Sequence, residues 1–496
     1  MDVDSLDHML LAGSAVVLLA ILAVRASVRV GLPSLLIYLA MGIVMGESLL
    51  GVRFDDARTA QALGFAALVV ILTEGGLTTK WSEVRPSLGL GLALATVGTG
   101  VSIVVVAAFA HYALDFSWQL SVLLGAITSP TDAAAVFTVL RRVPLKRSLL
   151  GTLEAESGLN DAPTVLLVVI LSADHGPTGG AFGFAGLMVY ELVGGALLGV
   201  LVGRAGAAVL RRVALPASGL YPITVLAIAV LSYSGSSALH ASGFAAVYVT
   251  ALILGNSDLP HRASTRSFAE GFAWLAQIGL FVMLGLLASP STFTVGQIAS
   301  GVVVGAVLTL VARPVSVLVC ALPFRIPWRE QGFLGSAGLR GAVPIVLATI
   351  PLAQRVDRAA EIFNVVFVLV VVLTVLTAPL LPTLARQFGV IVDRPRDVDV
   401  EAAPLERIAA DLLLVRITKK SRLHGVEISE LRLPRGTSVS LIVRGDTSFT
   451  PDLRTSLRRG DDLLVVTRSK DREATERRLQ AVSRGGRLAG WTEESR

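Results

Sequence analysis

Apolar residues recur along most of the chain in long stretches that short polar breaks separate. Most stretches hold about 18–25 residues, enough for a helix to cross a bilayer. The pattern predicts an all-α polytopic membrane protein with about 13 transmembrane helices. The stretches are 8–24, 32–50, 60–77, 87–110, 118–139, 149–172, 182–209, 219–237, 241–256, 268–288, 296–320, 332–352 and 362–388.

The pattern changes near residue 390, so residues 1–390 are predicted to form the transmembrane domain. Residues 391–404 are charged and hold two prolines, which predicts a linker. Residues 405–482 are predicted to form a small α+β cytoplasmic domain, and residues 483–496 a disordered tail. Within the domain, strands are predicted at 411–417, 438–444 and 462–468, and helices at 422–431 and 470–482.

Composition excludes a soluble enzyme, because 53% of the 496 residues are hydrophobic and only 16% are charged. The net charge of +6 could suggest nucleic-acid binding, but 21 of the 43 basic residues lie beyond residue 390. No nucleic-acid partner is therefore expected. A single cysteine, Cys320, excludes an intrachain disulfide framework and a cysteine-based metal site.

The remaining basic residues indicate the orientation in the membrane. Alternate loops hold 17 Lys and Arg on one side against 4 on the other. Because basic loops stay in the cytoplasm, the N-terminus is predicted outside and the C-terminal domain inside. The cytoplasmic set is Arg25, Arg29, Lys80, Arg85, Arg141, Arg142, Lys146, Arg147, Arg204, Arg211, Arg212, Arg262, Arg266, Arg313, Arg325, Arg329 and Arg386.

A few ionisable residues fall inside the predicted spans, where a charge costs a few kcal/mol even on lenient scales. Such residues are functional candidates by default. They are Glu74, Asp132, Glu154, Glu156, Asp161, Glu191 and Arg340.

Two short sequences concentrate these charges. In Thr128–Asp132, Pro130 interrupts a helix at membrane depth, which is tolerated where the freed groups line a polar cavity or bind an ion. Thr131 and Asp132 would supply a carbonyl and a carboxylate there. In Glu156–Asp161, two adjacent stripes of one helix carry a hydroxyl, an amide and two carboxylates.

Hard oxygen ligands of this kind suit a hard cation such as Na⁺ or K⁺. A carboxylate in a low-dielectric site can hold either a proton or a cation near neutral pH. Competition between the two at one carboxylate is sufficient for an exchanger.

Arg340 lies in a third sequence, residues 335–344, whose glycines and proline predict another interrupted helix. A buried arginine needs an acidic partner, and Glu156 is the candidate. The breaks near 128–132 and 335–344 occupy corresponding places in two six-helix halves. Paired breaks of this kind indicate a transporter with inverted repeats.

These sequences resemble the monovalent cation:proton antiporter-1 family, in its bacterial NhaP-type branch. The resemblance covers residues 1–390 in outline. It is sharpest at Thr128–Asp132, at Glu156–Asp161 and at Gly338–Gly341.

The resemblance implies a cation and proton site centred on Asn160 and Asp161, with Asp161 as the shared carrier. It implies that Ser157, Asp132 and the Thr131 carbonyl complete the site. It also implies a Glu156–Arg340 ion pair that holds helices together, electroneutral one-for-one exchange, and a homodimer. Glu74 is a candidate for the path of ion access.

The C-terminal domain resembles the C-terminal half of the regulator of K⁺ conductance, a TrkA-C-type domain, at Gly425–Pro434 and Leu457–Val466. Antiporters with this domain resemble K⁺/H⁺ exchangers of the cell-volume type. Residues 391–496 hold no GxGxxG sequence, so no NAD(H) or other cofactor is expected. A small nucleotide, such as a cyclic dinucleotide, stays open as an effector.

The sequence therefore predicts a K⁺/H⁺ antiporter of a bacterial inner membrane that works by alternating access and is not an enzyme. The alternative within this class is Na⁺/H⁺ exchange, because the same oxygen ligands can serve both ions. A ligand-gated cation channel and a membrane-anchored sensor are the alternatives from other classes.

Overall fold

The computed structural model describes residues 3–30, 34–46, 51–52, 54–140, 143–173, 180–392, 398–405, 410–418, 421–445, 447–486 and 489. The chain divides into two compact units between Val392 and Asp393.

The described part of the first unit is helical throughout. Its long helices are α1 Val3–Val30, α2 Ser34–Met45, α3 Ala57–Thr78, α4 Trp81–Leu114, α5 Trp118–Thr128, α6 Ala133–Leu140, α7 Arg147–Ser172, α8 Gly180–Arg212, α9 Leu220–Ala238, α10 Gly243–Gly255, α11 Arg262–Leu287, α12 Val295–Phe324, α13 Trp328–Ser336, α14 Ala342–Ala353 and α15 Ala359–Gln387.

Each of the thirteen apolar stretches corresponds to one of these helices or to a pair of half-helices. Among the described residues, eight helices are long and apolar enough to cross a membrane, and four shorter helices are also apolar. The polar residues of α7 lower its hydropathy. The division of 219–256 into two spans is confirmed, because Ser242 begins α10 by accepting a hydrogen bond from the Ala245 N–H at 3.3 Å.

Two helices contain one π-helical segment each, Leu94–Gly98 in α4 and Leu308–Ala312 in α12. A π-helical segment adds a residue to a turn and so rotates the side chains that follow it. This rotation matters in α12, because Arg313 comes next.

Helix contacts place the helices in partly different surroundings. Helices α10 and α11 pack against α3, and α10 also packs against α8 and α9. Helix α7 packs mainly against α4, α5 and α14, with smaller contacts to α3, α8 and α10. Because α14 also packs against α3, the helix α7 that carries the predicted ion site lies where these helices meet.

The second unit is an antiparallel five-stranded sheet with one long helix. The spatial order is β1-β2-β5-β3-β4, and a β-bulge interrupts the β3–β5 register between Val439 and Leu441. Helix α16 contributes buried Leu479 and Val482 to the core. The elements are β1 Val398–Leu405, β2 Ala410–Ile417, β3 Ser438–Arg444, β4 Thr447–Phe449, β5 Asp462–Arg468 and α16 Arg472–Gly485.

Three details of the predicted C-terminal region need correction. Strand β1 begins at Val398, so it takes up most of residues 391–404, which are predicted as a linker, and it ends at Leu405. Residues 422–431 are turns with a short 3₁₀ segment rather than a helix. Their main-chain groups bond across to a second segment, with the Gly425 N–H donating to the Leu457 carbonyl at 2.8 Å. The predicted tail at 483–496 overlaps the end of α16, and its last residues lie outside the described part.

Candidate ion site between two interrupted helices

The two predicted helix breaks are present, and they meet. Helix α5 ends at Thr128 and α6 begins at Ala133, while α13 ends at Ser336 and α14 begins at Ala342. The Asp132 N–H donates to the Leu339 carbonyl at 2.9 Å. Main-chain groups that the two breaks leave without helical partners therefore partly hydrogen-bond to each other.

Gly341 makes the approach of the two breaks possible. A Cβ atom at this position would lie 1.8 Å from Oδ2 of Asp132. No side chain fits there while the carboxylate keeps its place. The glycine is thus required by the position of Asp132.

Two polar side chains cap the half-helix that follows the first break. Ser157 Oγ accepts a hydrogen bond from the Ala133 N–H at 3.1 Å. Asp132 Oδ1 accepts one from the Ala135 N–H at 3.1 Å. These are the free N–H groups that every helix N-terminus presents. Ser157 and Asp132 therefore stabilise the interrupted conformation, in addition to being predicted ligands of the ion.

Asn160 ties the other helix of the site to the same break. Its Nδ2 donates to Thr131 Oγ1 at 3.0 Å, and the residue is completely buried. Its Oδ1 has no hydrogen-bond partner among the described residues. Asp161, only 9% exposed, also has a partnerless buried oxygen, Oδ1. Burying such oxygens without a partner is costly, which makes them candidate ligands for a cation or a proton.

A cavity of about 530 Å³ leads to these residues. Thr131, Asp132, Ser157, Asp161 and Glu74 all line it, while Asn160 stands behind its wall. The structure thus brings together the predicted cation and proton residues and the predicted access residue Glu74.

Further carboxylates line the same cavity. Glu154 is among the intramembrane acids that the sequence indicates, whereas Glu270, the third residue of the apolar stretch 268–288, is not among them. Glu270 and Glu74 lie close enough to interact electrostatically. The cavity therefore carries an acidic lining toward the ends of α3 and α11.

The predicted Glu156–Arg340 ion pair is wrong. Glu156 forms a two-pronged pair with Arg313, in which Nη2 donates to Oε2 at 2.8 Å and Nη1 donates to Oε1. The side chains are 5% and 2% exposed for Arg313 and Glu156. The sequence contained a signal for this pair, because Arg313 lies inside the apolar stretch 296–320. It had been counted with the cytoplasmic loops instead.

Arg340 is buried nearby, at 2% exposure. Its Nε and Nη1 have no hydrogen-bond partner among the described residues. It interacts electrostatically with both Arg313 and Glu156. Arg340 therefore belongs to the same buried charge cluster but is not the direct partner of the glutamate.

Comparison with protein families gives two matches. Residues 14–386 match the sodium/hydrogen exchanger transmembrane family, and residues 412–480 match the TrkA-C domain.

Curated relatives match nearly the whole chain. A protein named K(+)/H(+) antiporter NhaP2 from Shewanella baltica is 34% identical over 484 residues, covering 96% of this chain and 83% of its own. The K(+)/H(+) antiporter NhaP of Alkalimonas amylolytica is 35% identical and covers 82% of this chain and 71% of its own. The Na(+)/H(+) antiporter NhaP of Pseudomonas aeruginosa is 28% identical and covers 62% of this chain and 77% of its own.

Among solved structures, the sodium proton antiporter MjNhaP1 of Methanocaldococcus jannaschii has the same fold. It superposes with a TM-score of 0.65 at 21% identity, covering 75% of this chain and 99% of that chain.

Proposed function

The chain belongs to the sodium/hydrogen exchanger family, and from this premise we propose that it exchanges K⁺ for H⁺ at the site around Asp161. Its relatives are antiporters rather than enzymes, so cation/proton antiport is the activity to explain. The observation that carries the proposal is the partnerless, buried Oδ1 of Asp161 in the wall of the cavity.

The proposed chemistry is competition for one carboxylate. When deprotonated, Asp161 binds the cation together with nearby oxygens of Thr131 and Ser157. When protonated, it is neutral and releases the cation, because the low-dielectric surroundings disfavour two positive charges at one carboxylate. One cation or one proton per crossing makes the exchange electroneutral.

In the proposal, alternating access exposes the site first to one side of the membrane and then to the other. The cavity is lined by Thr79 at the end of α3, by Glu270 in α11 and by Glu154 near the start of α7. These positions lie toward the ends that the basic loops assign to the cytoplasm. The described arrangement is therefore taken as the inward-facing one, and a second arrangement exposes Asp161 outside.

K⁺ is preferred over Na⁺ in this proposal because of the C-terminal domain and the relatives. The relatives named as K⁺/H⁺ antiporters match a larger share of this chain than the P. aeruginosa Na⁺/H⁺ antiporter does. A homodimer in a bacterial inner membrane, with a cytoplasmic TrkA-C domain that binds a small nucleotide, completes the proposal.

The test is cation-dependent proton movement in proteoliposomes, with K⁺, Na⁺, Rb⁺ and Li⁺ compared side by side. Asp161→Asn should abolish exchange, because an amide cannot take up a proton near neutral pH. Asp115→Asn is the matched control. Asp115 is exposed at a helix end with φ of 53°, a conformation that asparagine accepts.

The outcomes separate the alternatives. In the unaltered protein, raising K⁺ should shift the pH of half-maximal exchange downward, because more protons are then needed to displace the cation. A response to Na⁺ but not to K⁺ would select Na⁺/H⁺ exchange. Cation flux without proton movement would select a channel, and normal exchange by Asp161→Asn would refute the carrier assignment.

A further inference from the structure

The tip of one tyrosine rests directly on the backbone of the ion-binding helix. A Cβ atom at Gly158 of α7 would lie 2.4 Å from both Cζ and Oη of Tyr248. Tyr248 belongs to α10 and is 6% exposed. The contact therefore joins α10 to α7, and it exists because position 158 has no side chain.

The contact lies in the middle of the functional face of α7. Glu154, Gly158 and Asp161 are spaced by four and three residues, so they follow one another along a single face of the helix. All three line the cavity with Tyr248. The Tyr248 hydroxyl interacts with the Thr79 side chain at the end of α3 and electrostatically with Glu154 and Asp161.

The neighbouring positions on this face differ in kind. One helical turn from Gly158 in either direction stands a carboxylate, which a phenol hydroxyl can hydrogen-bond. A shift of α7 along its axis by one turn, about 5.4 Å, would replace a van der Waals contact on glycine by a hydrogen bond to a carboxylate. No residue of this face lies between Gly158 and either carboxylate, so the face favours discrete placements that differ by about one turn.

The direction of the shift follows from the cavity. The cavity opens toward the end of the membrane unit at which α7 begins. To expose Asp161 at the opposite end, α7 must move toward its own C-terminal end. That movement brings Glu154, not Asp161, beneath the phenol of Tyr248.

We propose that Tyr248 is a positioning residue that holds α7 in two placements, seated on Gly158 in the inward-facing arrangement and hydrogen-bonded to Glu154 in the outward-facing one. The inference rests on the proposed alternating access. A contact made in only one arrangement stabilises that arrangement alone, so the two contacts together set the balance between them.

The contact between Tyr248 and Gly158 is tested with a double variant that should restore the exchange lost in a single variant. Gly158→Ala should lower K⁺/H⁺ exchange in proteoliposomes at least tenfold, because its methyl group has no space beside Tyr248. The double variant G158A/Y248A should recover to within about threefold of Y248A alone. Gly235→Ala in α9 is the matched control, since a Cβ there meets nothing within 4 Å, and it should exchange normally. No recovery in the double variant would overturn this contact.

The hydroxyl is tested separately by Tyr248→Phe, which keeps the ring on Gly158. Its maximal rate should fall about three- to tenfold, while KM for K⁺ on the cavity side stays within twofold. Unchanged rate and KM would overturn the second contact. This variant keeps the proposal testable even if G158A fails to fold, which size-exclusion profiles would report.

These experiments fail separately from the carrier proposal. The Gly158 and Tyr248 variants are compared with unaltered exchange, whatever residue carries the ion. If Asp161→Asn exchanged normally, the carrier assignment would fall while the rescue could still be measured. If rescue failed while Asp161→Asn remained inactive, only the positioning role of Tyr248 would fall.

Discussion

Among the described residues, each unit contains a buried carboxylate that an arginine holds through two hydrogen bonds, and the two pairs differ in what surrounds them. In the membrane unit, both Arg313 and Glu156 are buried. In the C-terminal unit, Asp461 is completely buried, whereas the Arg444 side chain is 27% exposed. The first pair is enclosed by protein, and the second keeps one partner in contact with water.

The pairs also differ in what they connect. Glu156 and Arg313 join α7 to α12 across 157 positions. Arg444 and Asp461 are 17 positions apart, and Asp461 accepts a further bond from the Arg458 N–H at 2.8 Å. The C-terminal pair joins the end of β3 to the turn before β5, and its carboxylate accepts three hydrogen bonds. The membrane pair neutralises charge between distant helices.

The comparison shows that two pairs with similar hydrogen-bond geometry should differ in the free energy of unfolding that is lost when one partner is removed. Removing one partner of an enclosed pair leaves an uncompensated charge with no access to water. Removing one partner of a half-exposed pair lets water replace it in part. Hydrogen bonding to Asp461 also raises the pKa of the Arg444 guanidinium, so we expect this pair to persist at alkaline pH.

The largest effect is expected for Arg313→Met, which strands the Glu156 carboxylate. We expect a loss of about 3–5 kcal/mol, the usual cost of breaking a buried pair, and little folded protein. Thermal unfolding in detergent and the yield of monodisperse protein measure it. The double variant R313M/E156Q removes both charges and should recover much of the yield; equal losses in both variants would contradict the pairing.

A smaller effect is expected for Arg340→Met. Arg340 lacks partners at Nε and Nη1, and replacing a poorly paired buried charge by an apolar side chain is often tolerated. The decrease in Tm should be less than half of that for Arg313→Met. A loss as large as that of Arg313→Met would mean that Glu156 depends equally on both arginines.

In the C-terminal unit, Asp461→Asn should cost about 1.5–3 kcal/mol, because it weakens charged hydrogen bonds to Arg444 and the Arg458 amide. Hydrogen exchange should become faster in β3 and β5, with the membrane helices unaffected. Faster exchange across the membrane helices would show that this pair also supports the first unit.

The smallest loss of stability is expected at Asp462, the residue that follows Asp461. Asp462 pairs with Arg416 at 3.0 Å on the surface, where the arginine side chain is 65% exposed. Asp462→Asn should cost less than about 0.5 kcal/mol, as exposed pairs usually do. It is therefore the matched control for Asp461→Asn, and the contrast disappears if both substitutions destabilise equally.

Much of the membrane unit could be predicted because lipid makes local signals strong. Apolar stretches must span the bilayer as helices, and polar or charged side chains inside them are costly unless they have a function. Asp132, Asn160 and Asp161 could therefore be identified as candidates from their positions in these stretches. The breaks followed from Pro130 and from the glycines around Arg340. These inferences depend on a few neighbouring residues, which a sequence presents directly.

The errors share one cause, which is distance along the chain. Arg313 and Arg340 are both far from Glu156 in the sequence, and no residue near the glutamate selects between them. The π-helical segment before Arg313 contributes to the choice, because it rotates the arginine within α12. In the C-terminal unit, residues 422–431 are predicted to be helical from the sequence, but their backbone groups hydrogen-bond to residues near Leu457 instead.

The sequence by itself determined the succession of apolar helices, the two interruptions and the identity of the polar residues within those helices, because hydropathy and helix breakage act locally. Only the tertiary structure decided which charges pair, that Asp132 lies against Gly341, and that Tyr248 rests on Gly158. Those contacts depend on how whole helices pack, and packing is settled by the shapes of many surfaces at once.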